Sequence, residues 1–140
     1  MNIKFIKIGA LTLISTLALA TPFIAYASQQ KIWVEVINNT NEDSTAIIND
    51  HTCSTTLGIK GITKAHSINF VDIITGVFAC SETPDSPCKA DVYMTNDCSG
   101  DKIATLFYER NVGIVSVQPH GSYKVAGSGY VVTIDSPSKS

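Results

Sequence analysis

The sequence predicts an all-β domain: an antiparallel β-sandwich of about seven to nine short strands, stapled by two disulfides. Three observations predict it. Runs rich in β-branched residues alternate with turn residues at regular spacing. No window of helical periodicity reaches three turns, which excludes a βαβ architecture. The four cysteines, Cys53, Cys80, Cys88 and Cys98, form an even set in a small chain that bears an export signal.

The export signal is the N-terminus. Lys4 and Lys7 supply a positive start, and Ile8 to Ala20 is an apolar run. Pro22 follows, then Ala25-Tyr26-Ala27, with small residues on either side of a bulky one, as signal peptidase accepts. The cut is expected after Ala27, making residues 1–27 a removable signal peptide. The apolar run is shorter than the roughly 20 residues a membrane helix needs. No later stretch reaches that length, so no membrane span is expected after signal removal.

Signal removal leaves 113 of 140 residues, the size of one domain. That domain is expected over 28–135, with a flexible tail over 136–140. Hydrophobic residues are 44% of the chain, enough for a packed core and too many for wholesale disorder. The signal carries two lysines and no acids, so the formal charge falls from −2 to −4. An acidic domain without a basic stripe argues against nucleic acid and against anionic lipid as partners. The expected location is the periplasm or the extracellular medium.

The strands follow in order. Ile32 to Ile37 is the first, closed by the turn cluster Asn38 to Asp43. Ser44 to Asp50 is a short second strand. Thr63 to Ile74 is a third, bent near Asp72, and Val77 to Cys80 a fourth after Thr75-Gly76. Lys89 to Thr95 is the fifth, with Ala90, Val92 and Met94 on one face. Asn96 to Asp101 is the clearest turn of the chain. Lys102 to Glu109 and Val112 to Gln118 are the sixth and seventh strands, broken by Arg110-Asn111. Ser122 to Ala126 and Tyr130 to Ile134 complete the set, joined by a flexible connector or bulge at Gly127-Ser128-Gly129.

Geometry narrows the disulfides. Between Cys88 and Cys98 lies an extended strand, whose ends stand roughly 30 Å apart at about 3.3 Å per residue. A disulfide needs Cα atoms within about 7 Å. That removes Cys88–Cys98, and with it Cys53–Cys80. Cys80–Cys88 with Cys53–Cys98 is preferred, because the turn-rich segment between Cys80 and Cys88 suits a short bridged loop. Cys80–Cys98 with Cys53–Cys88 is the alternative.

Catalytic chemistry has little support. No Gly-x-Ser-x-Gly, phosphate-binding glycine loop or Cys-x-x-Cys occurs. His51, His66 and His120 do not stand at ligand spacing, so no metal and no cofactor are expected. Asn96, Asp97, Ser99 and Asp101 cluster oxygens, but these residue types are also the common turn formers. An enzyme would need one of the histidines to meet a carboxylate and a hydroxyl in a pocket. Asn38-Asn39-Thr40 matches a glycosylation acceptor.

The expected function is therefore binding without catalysis, with a protein or a carbohydrate as ligand. Two features point to a binding surface. One is the stiff loop Glu82-Thr83-Pro84-Asp85-Ser86-Pro87 beside Cys88. The other is the aromatic set Trp33, Tyr93, Tyr108 and Tyr123, which can stack on a ligand if one sheet face gathers it. The alternative is a surface or fimbria-like structural subunit that assembles through its C-terminal strand.

Overall fold

A computed structural model of the chain describes residues 33–72, 87–109 and 111–138. Nine strands lie among them: β1 Trp33–Asn38, β2 Thr45–Ile48, β3 Thr52–Cys53, β4 Ser67–Asp72, β5 Cys88–Tyr93, β6 Lys102–Glu109, β7 Gly113–Pro119, β8 Lys124–Ser128 and β9 Val131–Asp135. They form two sheets, a four-stranded one in the order β4-β1-β9-β8 and a five-stranded one in the order β3-β2-β5-β6-β7. No α-helix occurs among the described residues. The predicted all-β, two-sheet architecture is therefore present.

The inner faces follow the two-residue alternation of extended chains. Val34 and Val36 of β1 and Val132 and Ile134 of β9 face Val92, Leu106 and Ile114 of the opposite sheet. Val132 and Ile134 are each 1% exposed, which marks β9 as the centre of its layer.

One pair departs from the antiparallel expectation. β1 and β9 run parallel, with Glu35 opposite Val131 and Asn38 opposite Ile134. A parallel pair needs a long crossover, and here nearly the whole domain lies between its two strands. Local sequence patterns carry no sign of such a pairing. The same pairing limits assembly through the C-terminal strand, since within the segment 123–134 only β8 lies at a sheet edge. β9 is hydrogen-bonded to β1 on one side and β8 on the other, so it has no open edge to offer.

Other elements differ in detail. The expected third strand begins at Ser67, and Thr63 joins the sheet only through an isolated bridge to Ser44. The short strand β3 and a 3-10 segment, Ser54–Gly61, occupy a stretch whose sequence predicts neither. His51 lies in the preceding hairpin turn, where Asn49 and Asp50 both take left-handed backbone. Asn and Asp tolerate that conformation, and it is what a tight hairpin needs. The expected strand Val77 to Cys80, the signal peptide and Cys80 itself lie outside the described residues.

Cys53 and Cys98 are joined, with Cα atoms 6.0 Å apart, which is the preferred long bridge. It is the one complete bridge between described residues. Cys88 is also disulfide-bonded, so none of the described cysteines carries a free thiol. The Cys53–Cys98 bridge spans 45 residues of chain. In the loop-entropy model a closure of that length contributes about 4 kcal/mol.

The sheets are laced together at β7 and β8. Ile114 and Gly129 exchange backbone hydrogen bonds across that corner. Gly127, expected in a flexible connector, lies inside β8, where a Cβ would stand 3.3 Å from side-chain atoms of Ile114, Val117 and Val132. Gly113 has φ +91°, and a Cβ there would overlap the backbone of Gly129. Gly113→Ala should therefore cost at least about 2 kcal/mol, from the left-handed backbone and the overlap together. Urea denaturation of the variant checks this; a wild-type midpoint would contradict the close approach.

Candidate functional site

Three regions of the sandwich carry side chains that invite function: the outer face of the four-stranded sheet, a polar cluster on the five-stranded sheet, and the space between the sheets. The outer face is built by β1 and β4. Register pairs Glu35 with Phe70, Ile37 with Ile68 and Trp33 with Asp72. These residues alternate with Val34, Val36 and Val71, which point inward to line the space between the sheets. Trp33 is 42% exposed, Ile68 56% and Phe70 53%. The rings of Trp33 and Phe70 meet edge to face, with centroids 6.4 Å apart.

β4 inverts the usual polarity of a sandwich strand. Its apolar residues Ile68 and Phe70 face outward, while Ser67 and Asn69 take the other face. The reason is a set of hydrogen bonds. Asn69 Nδ2 donates to the Lys60 carbonyl at 2.8 Å, and the Ser67 hydroxyl donates to the Lys64 carbonyl at 2.7 Å. A one-residue slip of β4 would turn Ile68 and Phe70 inward and strand those polar partners. Register is thus set by polar groups, and two large apolar side chains stay in water as a result.

The polar cluster centres on Asp91 of β5, 5% exposed. The Thr105 hydroxyl donates to its carboxylate at 2.6 Å, and Lys102 and Lys89 approach at 3.2 and 3.7 Å. His120 Nε2 lies 3.0 Å from the Thr105 oxygen. A histidine, a hydroxyl and a carboxylate do meet here, but in an order unsuited to nucleophilic catalysis. Thr105 gives its proton to Asp91, so the histidine must act as donor, not as base. The hydroxyl is buried, and none of the three residues lines the space between the sheets. Burial alone would push the Asp91 carboxyl up. The Thr105 and Lys102 hydrogen bonds and the two lysine charges outweigh it and hold the carboxyl below its ordinary range. Asp50 in turn binds Lys89 at 2.7 Å and raises its ammonium pKa. The network is a structural pin across β5 and β6.

Between the sheets lies a half-enclosed, mainly apolar cavity of about 140 Å³. Both inner faces contribute to it.

The remaining predicted residues scatter. The aromatic set does not share a face. Trp33 is on the outer face, while Tyr108 lines the cavity. Tyr93 alternates with the cavity-lining Val92 on β5. Tyr123 precedes β8, packs against the core and donates its hydroxyl to Glu42, which raises the phenol pKa. Alternation sends neighbours to opposite sides, and these four come from three strands and a loop, so no single face gathers them. Phe70 and Ile68, which the aromatic set omits, are the true companions of Trp33. Their signal was the alternation of Ser67, Ile68, Asn69 and Phe70 along β4. Of the proposed loop, Glu82 to Ser86 lies outside the described residues, and Pro87 is exposed beside Cys88. His66 Nε2 meets Asn41 Oδ1 at 2.7 Å, and Asp97 accepts from Ser99 in a closed turn, so neither joins a cluster of ligands. Among the described residues no three metal-ligating side chains converge.

Comparison with known proteins agrees with the architecture and adds a family. A family model described as the T2SS substrate NttC matches residues 2–140. The chain belongs to the NttC family. It resembles the crystal structure of the Legionella pneumophila type II secretion system substrate NttC, with a TM-score of 0.60 and 23% identity. The match covers 75% of this chain and 97% of that one. At that identity the likeness speaks to the fold. No curated protein matches the chain. Membership of a family of type II secretion substrates makes this an exported protein, as the N-terminal reading predicts. For an NttC-family chain in an oxidising compartment the Cys53–Cys98 bridge is the expected chemistry.

The lowered pKa of Asp91 sets the sign of a pH effect. Its stabilisation is complete above the unfolded carboxyl value of about 4 and is lost as pH falls through the lower folded value. Asp91→Asn should cost about 1–3 kcal/mol at pH 7, with the difference from wild type closing as pH falls through the lowered folded value. Urea titrations across pH would show this; a gap that persists undiminished into acid would contradict the pin.

Proposed function

We propose that the chain is an exported, non-catalytic binding protein that engages a protein partner through the outer face of its four-stranded sheet. One observation carries the reading: β4 turns Ile68 and Phe70 outward beside Trp33, giving a contiguous apolar surface. Such surfaces on exported domains mark interaction sites, because water penalises leaving them uncovered. The edge-to-face geometry of Trp33 and Phe70 favours a protein over a sugar. With planes crossing at 84° the two rings offer no common flat platform for a carbohydrate. Glu35 and Asp72 occupy the same face, opposite Phe70 and Trp33 in register. The complementary partner surface is apolar at its centre and basic at its rim.

Absence of catalysis is the other half of the proposal. Its support is the direction of the Thr105–Asp91 hydrogen bond and the burial of that hydroxyl.

The test uses a photo-cross-linking residue at position 70, with position 118, exposed on β7, as control. The full chain is secreted and irradiated in its own medium. A discrete adduct with another protein is expected at 70 and not at 118. Ile68→Thr should lower its yield at least tenfold, since much of the contact is apolar. Raised salt should lower it too. Equal adducts at both positions, no adduct, or a dimer-mass adduct alone would contradict the proposal.

A further inference from the structure

The cavity between the sheets is distinct from the outer face, and its chemistry is restrictive. Val36, Val71, Ala90, Leu106 and Ile134 supply apolar walls from both sheets. Three of the polar side chains that reach it are hydrogen-bonded elsewhere. Thr45 Oγ1 donates to the Thr95 carbonyl at 3.0 Å, and Ser54 Oγ donates to the Gly61 carbonyl. Thr63 Oγ1 accepts from Asn69. No buried side-chain nitrogen or oxygen among the described residues lacks a hydrogen-bond partner.

Those facts decide what fits. A water held in such a space needs two to four polar partners, and these walls are mainly apolar, with the hydroxyls of Thr45, Ser54 and Thr63 already in hydrogen bonds. A sugar or a charged group would lose its hydration without replacement. A compact hydrocarbon loses nothing polar and gains contact on both faces. Size sets the rest. Dry apolar protein cavities of about 150 Å³ take a benzene-sized guest. This cavity has about 140 Å³.

We infer that the inter-sheet cavity is a binding site for a compact, uncharged hydrocarbon group of about six heavy atoms, such as an aromatic ring or the end of an alkyl chain. The site lies on the inner faces of β1, β2, β4, β5, β6 and β9 and does not depend on the outer-face reading. A hydroxyl on the guest is a liability here, because the walls are mainly apolar.

Benzene is the probe, added to methyl-labelled full-length mature protein and followed by NMR. Saturable shifts are expected at the methyls of Val36, Leu106 and Ile134, and not at those of Val112 or Val115, which are exposed on the far side. Phenol should bind at least tenfold more weakly. Ala90→Leu fills the space from β5 and should abolish the shifts. Ala46→Leu does the same from β2, should the first variant fail to fold. Trp33→Ala should leave benzene binding unchanged, which separates this site from the partner surface. No saturable shift up to the solubility of benzene, equal binding of phenol, or binding that survives both filling variants would overturn the inference.

Discussion

The side chain of Asn38 is the constraint on which the rest of the sandwich depends. It sits at the end of β1 with 1% exposure, and both of its ends are engaged. Its Nδ2 donates to the carbonyls of Glu42, Thr63 and Lys64 at 2.8, 3.3 and 3.2 Å. Its Oδ1 lies 3.1 Å from the Thr40 amide and 2.8 Å from the Thr40 hydroxyl. One amide thus ties the turn that leaves β1 for the second sheet to the segment that enters β4. Ser67, the first residue of β4, is its register partner. The register of β4 begins at Asn38, and the outward placement of Ile68 and Phe70 follows from that register. A buried Asn38 cannot carry a glycan in the folded state, so the acceptor pattern at this position has a structural meaning instead.

Two further ties complete the frame. The Cys53–Cys98 bridge fastens β3 to the turn after β5, and Thr45 Oγ1 accepts from the Cys98 amide at 3.1 Å beside it. At the opposite corner the Ile114–Gly129 bonds lace β7 to β8. The frame is held from its edges as much as from its centre. That explains how a sandwich with a small buried core can keep a cavity between its sheets. Polar hubs and a covalent staple do part of what side-chain packing does in a larger domain.

Much of this was legible in the sequence. Lys102–Glu109 matches its predicted strand to the residue, because turn formers precede it and the apolar run ends after it in the sequence. Strand length removed Cys88–Cys98, and the turn-rich segment between Cys80 and Cys88 then favoured the pairing that contains the observed Cys53–Cys98 bridge. What escaped has a common physical cause: it depends on contacts distant in the chain. The parallel β1–β9 pair joins the two ends of the domain. The side chains of β4 take their faces from carbonyls at Lys60 and Lys64, and against those the ordinary apolar-inward reading fails. Asn38 reads as a turn former when seen with its neighbours, and only the fold shows it to be a buried hub. Trp33 is exposed on the outer face, but which residues accompany it there required a knowledge of strand order.

The most direct test of this dependence is the unfolding free energy of Asn38→Asp at neutral pH. The substitution preserves shape but replaces two donors with acceptors and places a carboxylate against the Glu42, Thr63 and Lys64 carbonyls. A loss of at least about 3 kcal/mol is predicted, together with altered amide resonances along β4. Stability within about 0.5 kcal/mol of wild type, with β4 resonances unmoved, would show that the register of β4 and the apolar face it presents do not rest on Asn38.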